Sequence, residues 1–360
     1  MKLPRLESKI DNTRLKDSET QILFESLSTM LSSGIPILDA LNTIIEDSNN
    51  KNTKVVITQI SESINSGKSL AESFGMFPET FDSVFLNIVK SGEASGTLDK
   101  VLFSASENLK ENIETKNNIK SALFYPLIIL SVLTLVTFFV FGYSLPKVAK
   151  VFFDLHLNLP SYSSAILHFS VWIGLYKIYL LSLIAVFIIL FYLLLKLKPF
   201  KHFLLKILFS LPIVSRIANL ADLTRFTQTT GLLLNAGVPI IDALEISKEV
   251  VFSQSLKNDI GSVRESISKG LTLEKAMKDH PKSFPSLLRR VVGVGEEAGN
   301  LGEQLSKIAK NYQKKFSDTI KNLTVIIEPI LIILIAVLVA LVLVSVVLPI
   351  YQGIGSINRH

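Results

Sequence analysis

The sequence predicts an all-α membrane protein with two repeated cytoplasmic helical-bundle domains and three transmembrane helices. Three observations predict this fold class: three long apolar runs, an internal repeat at a constant offset, and helical spacing of the apolar residues in the polar stretches. Apolar residues form 48% of the 360-residue chain, yet long stretches carry a charge every few residues. This division is typical of a membrane protein with large soluble parts.

Three runs are long enough to cross a bilayer, which takes about 20 apolar residues. The chain is therefore expected to divide into a cytoplasmic domain (1–121), a first transmembrane helix (122–145), an extracytoplasmic loop (146–170), a second transmembrane helix (171–195), a second cytoplasmic domain (196–324), a third transmembrane helix (325–348) and a short extracytoplasmic tail (349–360).

The orientation of the spans follows from the basic residues beside them, because cytoplasmic flanks are rich in Lys and Arg. Eleven basic residues lie at the ends predicted to face inward: Lys110, Lys116, Lys120, Lys196, Lys198, Lys201, Lys206, Lys310, Lys314, Lys315 and Lys321. Four lie at the opposite ends: Lys147, Lys150, Lys177 and Arg359. The first twenty residues hold nine charged side chains and no apolar run, so the N terminus is expected in the cytoplasm, without a signal peptide.

An internal repeat recurs at an offset of 203 residues. The segment 31–41, LSSGIPILDAL, returns as 234–244, LNAGVPIIDAL. In the same register, Gly92-Glu93 returns as Gly295-Glu296. It continues into the apolar runs, where Pro126 matches Pro329. One unit is thus a soluble domain with the span that follows it. Two such units in tandem would face opposite sides, so the unpaired span at 171–195 is expected to return the chain to the cytoplasm.

The repeated motif at the start of each unit reads as a helix stop followed by a restart, with glycine ending one helix and proline near the first turn of the next. Its residues are Gly34, Pro36, Asp39 and Leu41, and Gly237, Pro239, Asp242 and Leu244. Farther on, Ser69 and Glu72 have the spacing of a capping box. Each unit is expected to be a compact bundle of short helices.

A second repeated motif is expected to join two helices in each unit by a glycine-rich turn. Its residues are Gly92, Glu93, Gly96 and Leu98, and Gly295, Glu296, Gly299 and Leu301. The two carboxylates are expected to bond loop amides or the next helix start. An exposed acidic turn that docks a basic partner is the alternative, and metal binding is a third.

Catalytic and cofactor chemistry has no visible place in the sequence. The chain lacks cysteine, the five histidines have neither metal-ligand spacing nor a partnered acid, and Gly67-Lys68-Ser69 lacks the upstream glycine of a phosphate-binding loop. We therefore expect no enzyme activity, no cofactor and no metal.

The two predicted cytoplasmic domains carry opposite net charge. Residues 1–121 carry 13 basic and 17 acidic side chains, whereas residues 196–323 carry 20 basic and 12 acidic ones. These opposite charges favour partners or self-association that use complementary fields over nucleic acid, and anionic lipids explain the basic flanks.

The repeated motifs and the three spans together resemble the inner-membrane platform proteins of type II secretion, type IV pili and competence pseudopili. This resemblance implies a bacterial cytoplasmic-membrane protein that couples a hexameric assembly ATPase to the insertion or extraction of pilin or pseudopilin subunits. It also implies contacts with other inner-membrane machine components and a homo-oligomer. The alternative is a small membrane transporter or channel subunit, although the spans offer almost no polar residues for a pathway.

Overall fold

The computed structural model describes residues 14–154, 161–196 and 212–357, and over these ranges it contains helices and turns but no strand. This confirms the predicted all-α membrane class. The helices, numbered in chain order, are α1 (Asp17–Ser32), α2 (Ile37–Asp47), α3 (Lys51–Asn65), α4 (Leu70–Phe74), α5 (Ser83–Ser95), α6 (Leu98–Phe139), α7 (Leu145–Asp154), α8 (Ser161–Lys196), α9 (Pro212–Asn235), α10 (Ile240–Val250), α11 (Gln254–Ser268), α12 (Leu273–Lys278), α13 (Ser286–Glu297) and α14 (Leu301–Ile357). Lys198, Lys201, Lys206 and Arg359 of the predicted flanks lie outside the described residues.

The repeat appears in the backbone as well as in the sequence. The first repeat contributes α1 to α6 and the second contributes α9 to α14, with matching helix order. Glycines 203 positions apart have nearly equal positive φ angles: Gly34 and Gly237 at 81° and 85°, Gly67 and Gly270 at 94° and 91°, and Gly96 and Gly299 both at 69°. Turns at the same places therefore end the same helices in both repeats.

The helix stop predicted at Gly34 is a Schellman motif. The amide of Gly34 donates to the carbonyl of Leu31 at 2.9 Å, and the amide of Ile35 donates to that of Met30 at 3.0 Å. This pattern needs a left-handed residue after the last turn, which glycine adopts without steric strain. Gly237 makes the equivalent turn in the second repeat, so each motif ends one helix and lets proline precede the next.

Each repeat encloses its own apolar core. Leu41 and Leu244, the last residues of the repeated motif, are fully buried in the first and second cores respectively. In the first core Phe24 stacks on Phe85, with ring centroids 4.2 Å apart. The described residues of Met1–Asn118 and of Arg216–Asp318 form one compact unit, and a third apolar cluster contains side chains of both repeats.

The second compact unit holds the described residues of 119–215 and 319–360. Three stretches of described helix are long and apolar enough to cross a membrane: Leu98–Asp154, Ser163–Leu183 and Leu301–Val344. Most of their apolar side chains are exposed, as expected for surfaces that face lipid.

Much of the segment expected as an extracytoplasmic loop is helical, because α7 and the start of α8 lie within it. A π-helical turn over Val140–Ser144 precedes Pro146, whose missing amide cannot continue the ordinary hydrogen-bond pattern. A Cβ added to Gly174 would lie 2.9 Å from Cγ of Pro146, so a glycine is needed where α8 passes this proline. Leu145, Phe152 and Leu167 form the small core between α7 and α8.

Candidate functional site

Each repeat uses one glutamate to hold the start of a short helix. Glu93, near the end of α5, accepts the amide of Leu70 at 2.8 Å and that of Ala71 at 3.4 Å. Glu296 on α13 accepts the amides of Leu273 and Glu274 at 2.9 and 3.3 Å. These amides have no partner inside the helices that they begin, and a carboxylate also complements the positive end of a helix dipole.

The carboxylates thus bond a helix start, but it is the start of α4 or α12, which comes earlier in the chain than the turn. In the first repeat Ser69 completes this arrangement, because its hydroxyl accepts the amide of Glu72 in the predicted capping box. Whether the same turn also docks a partner stays a prediction.

The glycines of this motif serve the close crossing of two helices and the turn between them. A Cβ on Gly92 would lie 2.8 Å from Cγ2 of Val101, and one on Gly295 would lie 3.0 Å from Cα of Leu301. Gly96 ends α5 in a left-handed conformation, and the amide of Thr97 donates back to Gly92. Gly299 repeats this geometry, while Leu98 and Leu301 pack against the two cores.

Residues that are not part of the repeated motif supply much of the exposed surface of each turn. Ala94 and Ser95 are exposed in the first repeat, and Glu297 and Ala298 are exposed in the second. Glu93 is itself exposed and Glu296 is half-buried, but both carboxylates are engaged by amides. Any docking by the turns would use this exposed rim. Asp39 and Asp242, from the first motif, are exposed in the first turns of α2 and α10.

The two repeats meet through α5 of the first and the α9–α10 corner of the second. Val84 and Ile88 on α5 share an apolar cluster with Leu233, Ala236 and Ala243. The hydroxyl of Ser91 donates to the carbonyl of Ala236 at 2.5 Å. This contact joins different faces of two related modules, so it is a head-to-tail contact rather than a symmetric one.

A second contact between the repeats links α6 with α14. The side chain of Gln313 donates to the carbonyl of Glu111 at 3.1 Å and to the hydroxyl of Thr115 at 3.0 Å. Lys310 pairs with Glu111 at 3.1 Å. The helices that lead toward the apolar stretches are thus held together by polar side chains.

Sequence reasoning missed a buried acid in the second repeat. Asp222 is 2% exposed and accepts the amides of Phe252 and Ser253, both at 2.8 Å, at the start of α11. The guanidinium of Arg225 lies 3.9 Å from the ring centroid of Phe252. Burial of this guanidinium lowers the pKa of Arg225, and the nearby negative charge of Asp222 opposes that shift. The signal available was the counterpart Glu19, an acid at the same place in the repeat.

A second missed pair corrects the statement that no histidine has a partnered acid. Nδ1 of His280 lies 2.9 Å from the carboxylate of Asp259, which also accepts the hydroxyl of Ser283. Both the histidine and the serine bond the acid, so the three do not form a nucleophile–base relay, in which the serine would bond the histidine. Within the described ranges, no group of three or more His, Asp or Glu side chains has metal-binding geometry.

Comparison with known proteins agrees with the repeat. The family model of type II secretion system protein F matches twice, over residues 23–146 and 226–349, which are 203 positions apart at both ends. The chain is 28% identical to the type IV pilus assembly protein PilC of Pseudomonas aeruginosa, over 96% of this chain and 92% of that protein. It is 27% identical to PilC of Myxococcus xanthus, over 93% and 80%. It is 25% identical to type II secretion system protein F of Vibrio cholerae, over 86% and 76%.

Proposed function

Because this chain belongs to the type II secretion system protein F family, we propose that it is the inner-membrane platform of a type IV pilus, type II secretion or competence pseudopilus machine. The protein itself catalyses no reaction. Its cytoplasmic repeats receive the motion of a hexameric assembly ATPase, and its membrane helices pass that motion to pilin or pseudopilin subunits and other machine components.

One observation carries this proposal: the last helix of each repeat runs without interruption into an apolar stretch. Helix α6 has 42 residues and α14 has 57. At 1.5 Å per residue they are about 63 and 85 Å long, which exceeds the roughly 30 Å hydrocarbon core of a bilayer. Pro126 in α6 and Pro329 in α14 each remove one backbone hydrogen bond, but the chain is helical on both sides of each proline. The α5–α6 and α13–α14 turns therefore connect directly, through a single helix, to an apolar stretch.

The same proposal places both repeats on the cytoplasmic side. The parity of the repeated units and the basic flanks support this orientation independently. Since the chain has no cysteine, single cysteines at exposed Asn65, Lys269 and Lys150 give clean labelling sites. A membrane-impermeant maleimide added to intact cells should label only Lys150→Cys, and labelling of just one of the two repeat positions would contradict the arrangement.

The function is tested by co-purification of the chain with its cognate ATPase and by complementation of a deletion strain. We expect co-purification with the unaltered chain, and restored pilus or pseudopilus assembly. Normal assembly in the deletion strain, or no association with the ATPase in any nucleotide state, would contradict the platform role.

Docking by the turn needs variants that leave the internal caps intact. Ala94→Lys with Glu297→Lys makes both turn surfaces basic while Glu93 and Glu296 still hold α4 and α12. We expect this double variant to lose ATPase co-purification and assembly at an unchanged amount of protein in the membrane. Glu62→Lys, an exposed charge reversal on α3, is the matched control. Normal co-purification and assembly in the double variant would remove the turns from the docking surface.

A further inference from the structure

The contact between the repeats leaves two matching faces unused. In this contact α5 of the first repeat supplies one face, and the α9–α10 corner of the second repeat supplies the other. Every module has both faces, because the modules are copies with the same turns and helix order. The second repeat therefore still has its own version of the α5 face on α13, and the first still has its own version of the corner between α1 and α2.

The unused face of α13 is apolar, with two of its three residues exposed and Val291 half-buried against the second core. Leu287, Val291 and Val294 take the places of Val84, Ile88 and Ser91 at the offset of 203. Leu287 is 44% exposed and Val294 is 60% exposed, whereas Val84 and Ile88 are buried in the existing contact. These three side chains lie along one side of α13 with the exposed Arg290 between them. We call this set the α13 stripe.

The unused corner of the first repeat is more polar and carries acid. Met30, Ser33 and Ile35 take the places of Leu233, Ala236 and Val238, and Asp47 takes that of Val250. Ser33, Ile35 and Asp47 are exposed and Met30 is half-buried. We call this set the α1–α2 corner.

We propose that the α13 stripe of one chain docks on the α1–α2 corner of a second copy and repeats the contact that already joins the two modules within one chain. Two further observations support a second copy as the occupant. The stripe carries Arg290 and the corner carries Asp47, and over the whole domains the first has more acidic than basic residues while the second has the reverse. Complementary charge of this kind favours contact between unlike domains.

A contact of this kind is heterologous, because it joins two different faces and leaves the pair of chains with one free face of each type. Successive copies then add in one direction, and the series closes into a ring where the rotation per copy allows it. The symmetric alternative, in which two α13 stripes pack on each other, would bring two Arg290 side chains together, and this like-charge contact disfavours it.

The absence of cysteine permits a direct test in the full-length membrane protein. Val294 and Ser33 are the counterparts of Ser91 and Ala236, whose hydroxyl and carbonyl are hydrogen-bonded in the existing contact. One tagged chain with Val294→Cys and a differently tagged chain with Ser33→Cys are expressed together in a host that lacks the rest of the machine. A short bis-maleimide is then added to the membranes.

We expect a crosslinked product that carries both tags, at least about fivefold above the matched pair in which Asn65→Cys on α3 replaces Ser33→Cys. Both positions are exposed, so the substitutions leave the cores intact. Ser91→Cys with Ala236→Cys in a single chain shows that the reagent reacts across a contact of this geometry. No mixed product while that control reacts, or an equal yield from Val294→Cys with itself, would overturn the proposal.

A charge exchange gives a second readout. Arg290→Asp in the one chain, or Asp47→Arg in the other, should lower the mixed product on the order of two- to fivefold, and the two together should restore it. Equal yields in all four combinations would remove the proposed charge pairing. Because the host lacks ATPase and pilin-like subunits, a failure here would concern self-association alone and would leave the platform role standing. A mixed product only in the native host would assign the stripe to a different partner and overturn the direct contact.

Discussion

The two repeats share a backbone but not an interior. The first core contains four mutually packed phenylalanines, Phe24, Phe74, Phe81 and Phe85. In the second repeat three of these places hold Thr227, Met277 and Leu288, and the buried Val56 and Phe77 are replaced by Asp259 and His280, which bond each other. The second repeat also encloses Asp222 at the start of α11, where the first uses the more exposed Glu19 and Asn50.

The residues that end and begin the helices are thus shared by the two repeats, whereas the side chains that fill their cores are not. The helix ends are specified by glycines with positive φ, by prolines and by capping side chains, and these recur at the offset of 203. The interior tolerates exchange of aromatic side chains for polar pairs that bond each other. We therefore expect equivalent substitutions in the two repeats to have different effects, because the first depends on packing and the second on hydrogen bonds.

The largest effect is expected at Phe24. Phe24→Ala removes a ring that is 3% exposed and stacked on Phe85, and we expect a loss of about 3–5 kcal/mol in the free energy of unfolding. Thr227→Ala at the equivalent place should lose about 1 kcal/mol, since the hydroxyl bonds only the carbonyls of its own helix.

Thermal unfolding of the full-length chain in detergent measures this contrast, with proteolysis to show which repeat opens first. For a unit of about 200 residues the Phe24→Ala change corresponds to a fall of about 10 °C in Tm. Equal shifts for Phe24→Ala and Thr227→Ala would show that the aromatic cluster does not distinguish the two cores.

An intermediate effect is expected at the acid that holds the third helix of each repeat. Asp222→Asn places an amide nitrogen beside the donors of Phe252 and Ser253, and it takes away the negative charge next to Arg225. We expect a loss of about 2–3 kcal/mol. Glu19→Gln, which is more exposed, should lose about 0.5 kcal/mol.

Hydrogen exchange read by mass spectrometry locates the Asp222 effect. The amides at the start of α11 should exchange faster in Asp222→Asn, while those at the start of α3 should be unchanged in Glu19→Gln beyond a small factor. Unchanged exchange at the start of α11 would mean that Asp222 does not hold that helix.

The helix boundaries could be predicted from the sequence, but most of the long-range hydrogen bonds could not. Gly34 and Pro36 mark a helix end and restart, and Ser69 with Glu72 marks a helix start, because each depends on residues within five positions. The offset of 203 then transfers these boundaries to the second repeat. Such local signals, together with the length of the apolar runs, are sufficient for the fold class.

The contacts of the site depend instead on how helices cross. Glu93 bonds amides 22 and 23 positions earlier, and Asp259 meets His280 across 21 positions, so neither pairing has a short-range pattern. The turn motif indicated where Glu93 lies but not which helix it holds. Departures from the repeat, such as Asp259 opposite Val56, were the available signal, since a polar residue at a core position must find a partner.

Substitution of Tyr312 is expected to change the free energy of unfolding least at neutral pH, and to change it in a pH-dependent way in alkaline solution. This side chain is 4% exposed in the second core, and its hydroxyl has no hydrogen-bond partner within the described part of the chain. The first repeat has Leu109 at this place. Burial raises the pKa of Tyr312 to about 12. The phenol of the unfolded chain, with an ordinary pKa near 10, therefore loses its proton first. The free energy of unfolding falls as pH rises from about 10 to about 12, by on the order of 2 kcal/mol.

Tyr312→Phe should change the free energy of unfolding at pH 7 by less than about 1 kcal/mol and should remove this part of the alkaline fall. The difference between wild type and Tyr312→Phe in thermal unfolding from pH 8 to 11 isolates the phenol from the lysines, which titrate alike in both chains. Parallel curves over that range would show that the hydroxyl is solvated or bonded, and that the second repeat encloses one fewer unpaired polar group than its structure indicates.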